Sequence, residues 1–66
     1  MELTEHQVRE RLVQACKEAG GQKAWARHHG ISVQYVNDVA RYRRPPGDLI
    51  VRALGLRRVV RYEEDA

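Results

Sequence analysis

Glycine stops decide what this chain can build. Gly20-Gly21, Gly30 and Gly55 divide its 66 residues into short segments of helical character. Glycine accepts the left-handed conformation that closes a helix, so each stop marks a C-terminus. The length allows one domain, because two pieces would each be too small to bury a core. Even one domain of this size is marginal and usually needs a staple, such as disulfides, a metal or a second subunit. Cys16 is the lone cysteine. An internal disulfide is therefore excluded, and a reducing compartment suits the composition. No apolar run approaches the roughly 20 residues that span a bilayer, and no signal-peptide pattern opens the chain. The expectation is a small, soluble, cytoplasmic binding module stabilised by association.

Thr4 and Gln7 form a Thr-x-x-Gln capping box, which starts a first helix. Val8, Leu12, Ala15, Cys16 and Ala19 then recur on one face. Cys16 lies on that stripe and reads as a small core residue rather than a nucleophile. Gln22 to His29 reads as a second, short helix with Ala24, Trp25 and His28 at mixed spacing. Trp25 is the sole tryptophan in a chain without phenylalanine, so it should be at least half buried. Ser32 is a preferred N-cap for a third helix from Val33 to Arg41. Val36, Val39 and Ala40 face inward there, and Val33, Gln34, Asn37 and Arg41 face out.

Tyr42 to Pro45 is a basic connection. A fourth helix should begin near Pro46, since proline is tolerated in a first turn. Asp48 suits the positive end of its dipole. Leu49, Ile50, Ala53 and Leu54 form its apolar face, and Gly55 stops it, with Leu56 free to make the contact that accompanies such caps. Residues 58 to 63, Arg-Val-Val-Arg-Tyr-Glu, are β-branched and aromatic and read as a short strand. The predicted fold is mainly α: a compact four-helix helix-turn-helix domain over residues 1–57, then a C-terminal strand and acidic tail over 58–66. Three arrangements stand open for that strand. It pairs with its own copy across a two-fold axis, with Val59, Val60, Arg61 and Tyr62 as the dimer contact, or with residues 1–3, or it frays.

The net charge is +3, but its distribution says more. Residues 41 to 61 hold Arg41, Arg43, Arg44, Arg52, Arg57, Arg58 and Arg61 against Asp48 alone. A basic half on a small domain fits a polyanionic partner, and it equally fits a solvated basic surface. All of these cations are arginine, whose planar fork suits phosphate and base edges.

The informative stretch is Gln22 to Val39. Two short helices meet at a glycine turn, with small Ala26 where helix must approach helix. Ile31, Val36 and Val39 wedge the pair. The pattern Gln22-x-x-x-Ala26-x-x-x-Gly30-Ile31-Ser32-x-x-x-Val36-x-x-Val39 resembles the lambda-repressor-like, Cro-like helix-turn-helix family of phage and bacterial regulators. Ala53-Leu54-Gly55-Leu56 resembles that family's closing helix, so the likeness covers about residues 8 to 56. Two departures are visible. Gly20-Gly21 precedes Gln22 where the family commonly has Leu-Thr, and Tyr42-Arg43-Arg44 follows the third helix where the family usually has glycine.

The third helix presents Val33, Gln34, Asn37 and Asp38 near its N-terminal half, where side chains can enter a major groove. Gln34 and Asn37 can each offer a donor and an acceptor to adenine, and Val33 can touch a thymine methyl. The resemblance implies that Gln34 and Asn37 stand at base-reading positions and that Gln22 braces a phosphate. Lys23, Arg27, Arg41, Arg43 and Arg44 would flank the groove as phosphate contacts. Tyr35 either reaches a phosphate or packs on a helix.

Other chemistry finds little support. Adjacent His28 and His29 diverge on a helix, and His6 and Cys16 are not at ligand spacing, so no metal or other cofactor is expected. The glycines form no phosphate loop. No nucleophile and base are paired, so an enzyme is not expected. The mixed-charge first helix has no aromatic anchor for a membrane. Nothing points to a small-molecule effector. The expected function is sequence-specific binding of double-stranded DNA at a palindromic operator, by a homodimeric repressor that acts by occlusion near the nucleoid. The alternative is a protein-interaction module such as an antitoxin or antirepressor. That version should carry exposed apolar residues on the third helix, where this sequence is polar.

Overall fold

The computed structural model describes residues 2–59, 62 and 64. Four helices follow in order: α1 (Glu5–Ala19), α2 (Gln22–His29), α3 (Val33–Ala40) and α4 (Asp48–Ala53). Among the described residues there is no strand. Arg58, Val59 and Tyr62 are irregular, while Val60, Arg61 and Glu63 lie outside the described residues. The expected strand is therefore corrected where it can be seen. The physical reason lies at its first residue. The Arg58 guanidinium donates to the Pro46 carbonyl at 2.9 Å and pairs with Asp48 at 3.2 Å. The chain after α4 is thus tied back to that helix's own start.

The capping box closes reciprocally at the start of α1. The Gln7 N–H donates to the Thr4 hydroxyl at 3.1 Å, and the Thr4 N–H donates to the Gln7 side-chain oxygen at 2.8 Å. Gly20 ends α1 in the left-handed region, with φ 98°. Between α2 and α3 the turn is Gly30, Ile31 and Ser32. Ser32 caps α3 by accepting from the Tyr35 N–H at 3.4 Å. α3 ends one residue before expectation, with Arg41 as its cap.

α1 packs against both α2 and α3, and those two pack on each other. The core is one cluster: Leu12 and Cys16 from α1, Trp25 and Ala26 from α2, Val36 and Val39 from α3, and Ile50 from α4. Trp25 is only 4% exposed, deeper than the sequence required. Burial raises the Cys16 thiol's pKa, which keeps it protonated and inert at neutral pH. Ala19, expected on the inner stripe, is exposed at the helix end, as are Ala24 and His28 of α2.

The fourth helix departs most from expectation. It starts at Asp48 rather than near Pro46, with Gly47 as the cap. The Gly47 N–H donates to the Tyr35 hydroxyl at 2.8 Å, and this bond sets where the helix begins. Pro46 is buried beneath it. The inward face turns accordingly. Val51 is buried beside Ile50, and Leu49, expected inside, is 65% exposed. Gly55 and Leu56 close the helix, the Leu56 N–H donating to the Val51 carbonyl at 3.0 Å.

Gly47 is required for close approach rather than for its dihedrals. A Cβ there would collide with the Tyr35 hydroxyl. Gly47→Ala should therefore destabilise the fold by about 1–3 kcal/mol. Tyr35→Phe removes the colliding oxygen, so the double variant should melt above the sum of the two single effects. Strict additivity in thermal melts would show that this contact does not set the start of α4.

Tyr42 carries the unusual backbone of the molecule. Its φ is 62°, the one positive value among described non-glycine residues. It occupies the left-handed position after the α3 cap. The Tyr42 N–H donates to the Val39 carbonyl at 3.2 Å, and the Arg43 N–H to the Asp38 carbonyl at 2.8 Å. Glycine takes this place most readily, and a tyrosine there costs about 1–2 kcal/mol.

Candidate nucleic-acid interface

The candidate surface is the outer face of α3, with the start of α2 on one side and the loop after α3 on the other. Its local cause is the α2–α3 turn. Gly30 closes α2 in the left-handed conformation, and the Ile31 N–H donates back to the Ala26 carbonyl at 2.9 Å. Ala26 has no side chain beyond Cβ, so α3 can pack against α2 at this point. Val36 and Val39 then lock α3 inward, with no exposed surface. What remains outside is mostly polar, with Val33 the exposed apolar residue of the helix.

The four expected base readers are not equivalent. Val33 is 46% exposed, and Gln34 is exposed beside it. The Gln34 amide donates to the Asp38 carboxylate one turn on, at 3.1 Å. Asp38 is turned away, its side chain 18% exposed with Arg43 also at 3.9 Å. Asn37 is half-buried and donates to the Gln22 side-chain oxygen at 3.0 Å. That bond joins the start of α2 to the middle of α3. It uses the Gln22 oxygen and one Asn37 N–H, so the Gln22 amide N–H donors and the Asn37 oxygen are not engaged in it.

The flanking cations fall into two groups. Lys23, Arg27 and Arg41 are exposed and make no ion pair with another described residue. Arg43 and Arg44 are held more closely. Arg43 lies beside Asp38, and the Arg44 guanidinium sits 4.7 Å above the Tyr35 ring. Tyr35 therefore packs, with its hydroxyl accepting from Gly47. Its own O–H proton is not used in that bond.

No family model matches this chain, and neither a curated protein nor a solved structure matches it. The function must be read from the surface itself.

Sequence reasoning missed two residues that shape this surface. Arg9 reads along the chain as one more charge on a mixed helix, yet it is 8% exposed. Its Nε donates to the Val39 carbonyl at 3.0 Å, and its Nη2 to the Arg44 carbonyl at 3.1 Å. Tyr42 covers it, with the ring centroid 4.4 Å from the guanidinium carbon. The one signal for Arg9 was its i,i+4 spacing from Glu5, which it pairs with at 2.9 Å. The signal for Tyr42 was the place where glycine is usual.

Among the described residues, no three His, Cys, Asp or Glu side chains gather as metal ligands. No described helix is long and apolar enough to cross a membrane. The expected dimer contact rests on Val59 and Tyr62, which are exposed, and on Val60 and Arg61, which lie outside the described residues.

Proposed function

We propose that this chain is a sequence-specific, double-stranded DNA-binding regulator of the lambda-repressor-like, Cro-like kind. One observation carries the reading. A short helix is held by Ala26, Val36 and Val39 so that its outward face carries Gln34, Asn37 and the exposed Val33, while Lys23, Arg27 and Arg41 are exposed and make no ion pair among the described residues. Such a helix fits a major groove. Gln34, Val33 and Asn37 meet base edges while the cations meet phosphates. Gln22 braces a phosphate through its free amide donors. Two copies on a palindromic operator would set two such helices about 34 Å apart, in successive grooves, and would repress by occlusion. On this reading the copies join through the C-terminal segment, of which Val59 and Tyr62 are exposed.

The test is a salt titration of duplex binding. Lys23, Arg27, Arg41, Arg43 and Arg44 make five phosphate contacts per copy on this reading. The log–log slope should then be about −4 to −5 per copy, near −0.9 for each. Arg43→Ala should flatten it by about one contact and weaken every sequence alike. An affinity independent of salt would refute the reading. The alternative of a protein-binding module draws on Leu49, which is largely exposed on α4. No duplex affinity in the parent chain at low salt would favour that alternative, whereas salt-dependent duplex affinity kept in a Leu49→Lys variant would favour the DNA reading, since Leu49 lies outside the proposed DNA surface.

A further inference from the structure

Among the described residues, Arg9 is the buried charged side chain, and its targets are backbone rather than another charge alone. It holds the carbonyls of Val39 and Arg44, which bracket the loop between α3 and the proline pair. Tyr42 lies between those two residues and closes over the guanidinium. Its hydroxyl also bonds His6 of α1, and the two rings stack with centroids 6.0 Å apart. His6 in turn lies 3.3 Å from Glu10. The loop that carries Arg43 and Arg44 is thus fastened to α1 at three points. Tyr42 combines the left-handed backbone with a ring laid over Arg9. Glycine would make the same turn without strain, but it would leave the guanidinium uncovered.

We propose that Arg9 and Tyr42 form a positioning pair that holds the Arg43–Arg44 loop in the orientation phosphate contact requires. The proposal rests on the DNA-binding reading and deepens it. Neither residue touches DNA. Arg9 supplies a rigid planar fork that reaches Glu5 and two carbonyls at once, which the point charge of a lysine cannot do. Tyr42, itself 58% exposed, lays its ring face 4.4 Å from the guanidinium carbon in a cation–π contact. Strain retained at a site the surroundings over-determine is a mark of such a device.

Tyr42→Gly separates positioning from stability. The variant loses ring contacts but also loses the left-handed strain, so its Tm should stay within roughly 5 °C of the parent. Its duplex affinity should fall about tenfold, the cost of ordering on binding a loop that α1 no longer holds, together with the two arginines it carries. Arg9→Lys should lose affinity in the same direction. In the free protein, the amide order parameter of Arg44 should drop from about 0.85 toward about 0.6 in Tyr42→Gly. Affinity unchanged in Tyr42→Gly, or affinity falling only in step with Tm, would overturn the proposal. If the parent chain itself shows no duplex affinity at low salt, the DNA reading fails separately. The loop measurement on the free protein then still decides the pair: an Arg44 amide as ordered in Tyr42→Gly as in the parent overturns it.

Discussion

Trp25→Ala should unfold the domain at room temperature. Trp25 is almost wholly buried, packed within the cluster that joins all four helices. Its ring also meets the His29 ring at 4.6 Å. Removing a buried aromatic of this size costs about 3–5 kcal/mol. In a chain of 66 residues without a disulfide, a single core rarely supplies more than about 3–5 kcal/mol in all. Circular dichroism should show the helical signal and the cooperative melt lost together. Trp25→Phe, which keeps most of the apolar volume, should fold with a lowered Tm. A Trp25→Ala melt matching the parent would place the tryptophan outside the core and refute the packing of α2.

Ala26→Leu is the second large effect, and it acts on geometry before stability. Ala26 is 1% exposed where α2 meets α3. The larger side chain has no space there, so α3 must move away. Overpacking of this kind costs about 1–3 kcal/mol. The expected result is a protein that still melts cooperatively, at lower temperature, with no measurable preference among duplex sequences. Ala24→Leu is the control, because Ala24 lies on the same helix but is exposed. It should leave both melt and binding unchanged. Equal behaviour of the two variants would mean that the α2–α3 packing does not orient α3.

The fold was legible wherever its cause was local. The Thr4–Gln7 box, the Ser32 cap and the glycine stops act within a few residues, and the bounds of α2 follow from them directly. Composition identified Trp25 as core because the chain offers no other aromatic of that size. The start of α4 was not legible, since it is set by Tyr35 across 12 residues. A six-residue helix has too few positions for its periodicity to correct the error, so Leu49 and Val51 exchanged places. Arg9 was hidden for the same reason. Its acceptors lie 30 and 35 residues away, while its visible partner Glu5 is four away. The candidate surface was legible as a set of residues and not as a network. Spacing put Gln34, Asn37 and Asp38 on one face. It could not show that Asp38 is largely covered, or that Asn37 is bonded to Gln22 across 15 residues.

Selection from a random pool of duplexes, followed by affinities on the winning site, tests the central claim most directly. Sequence-specific reading by α3 predicts a palindromic site, preferred over random duplex. It further predicts that Gln34→Ala and Asn37→Ala each lose about 1–3 kcal/mol on that site and little on random DNA. Enrichment of no sequence, or an unchanged ratio of specific to random affinity in both variants, would contradict it.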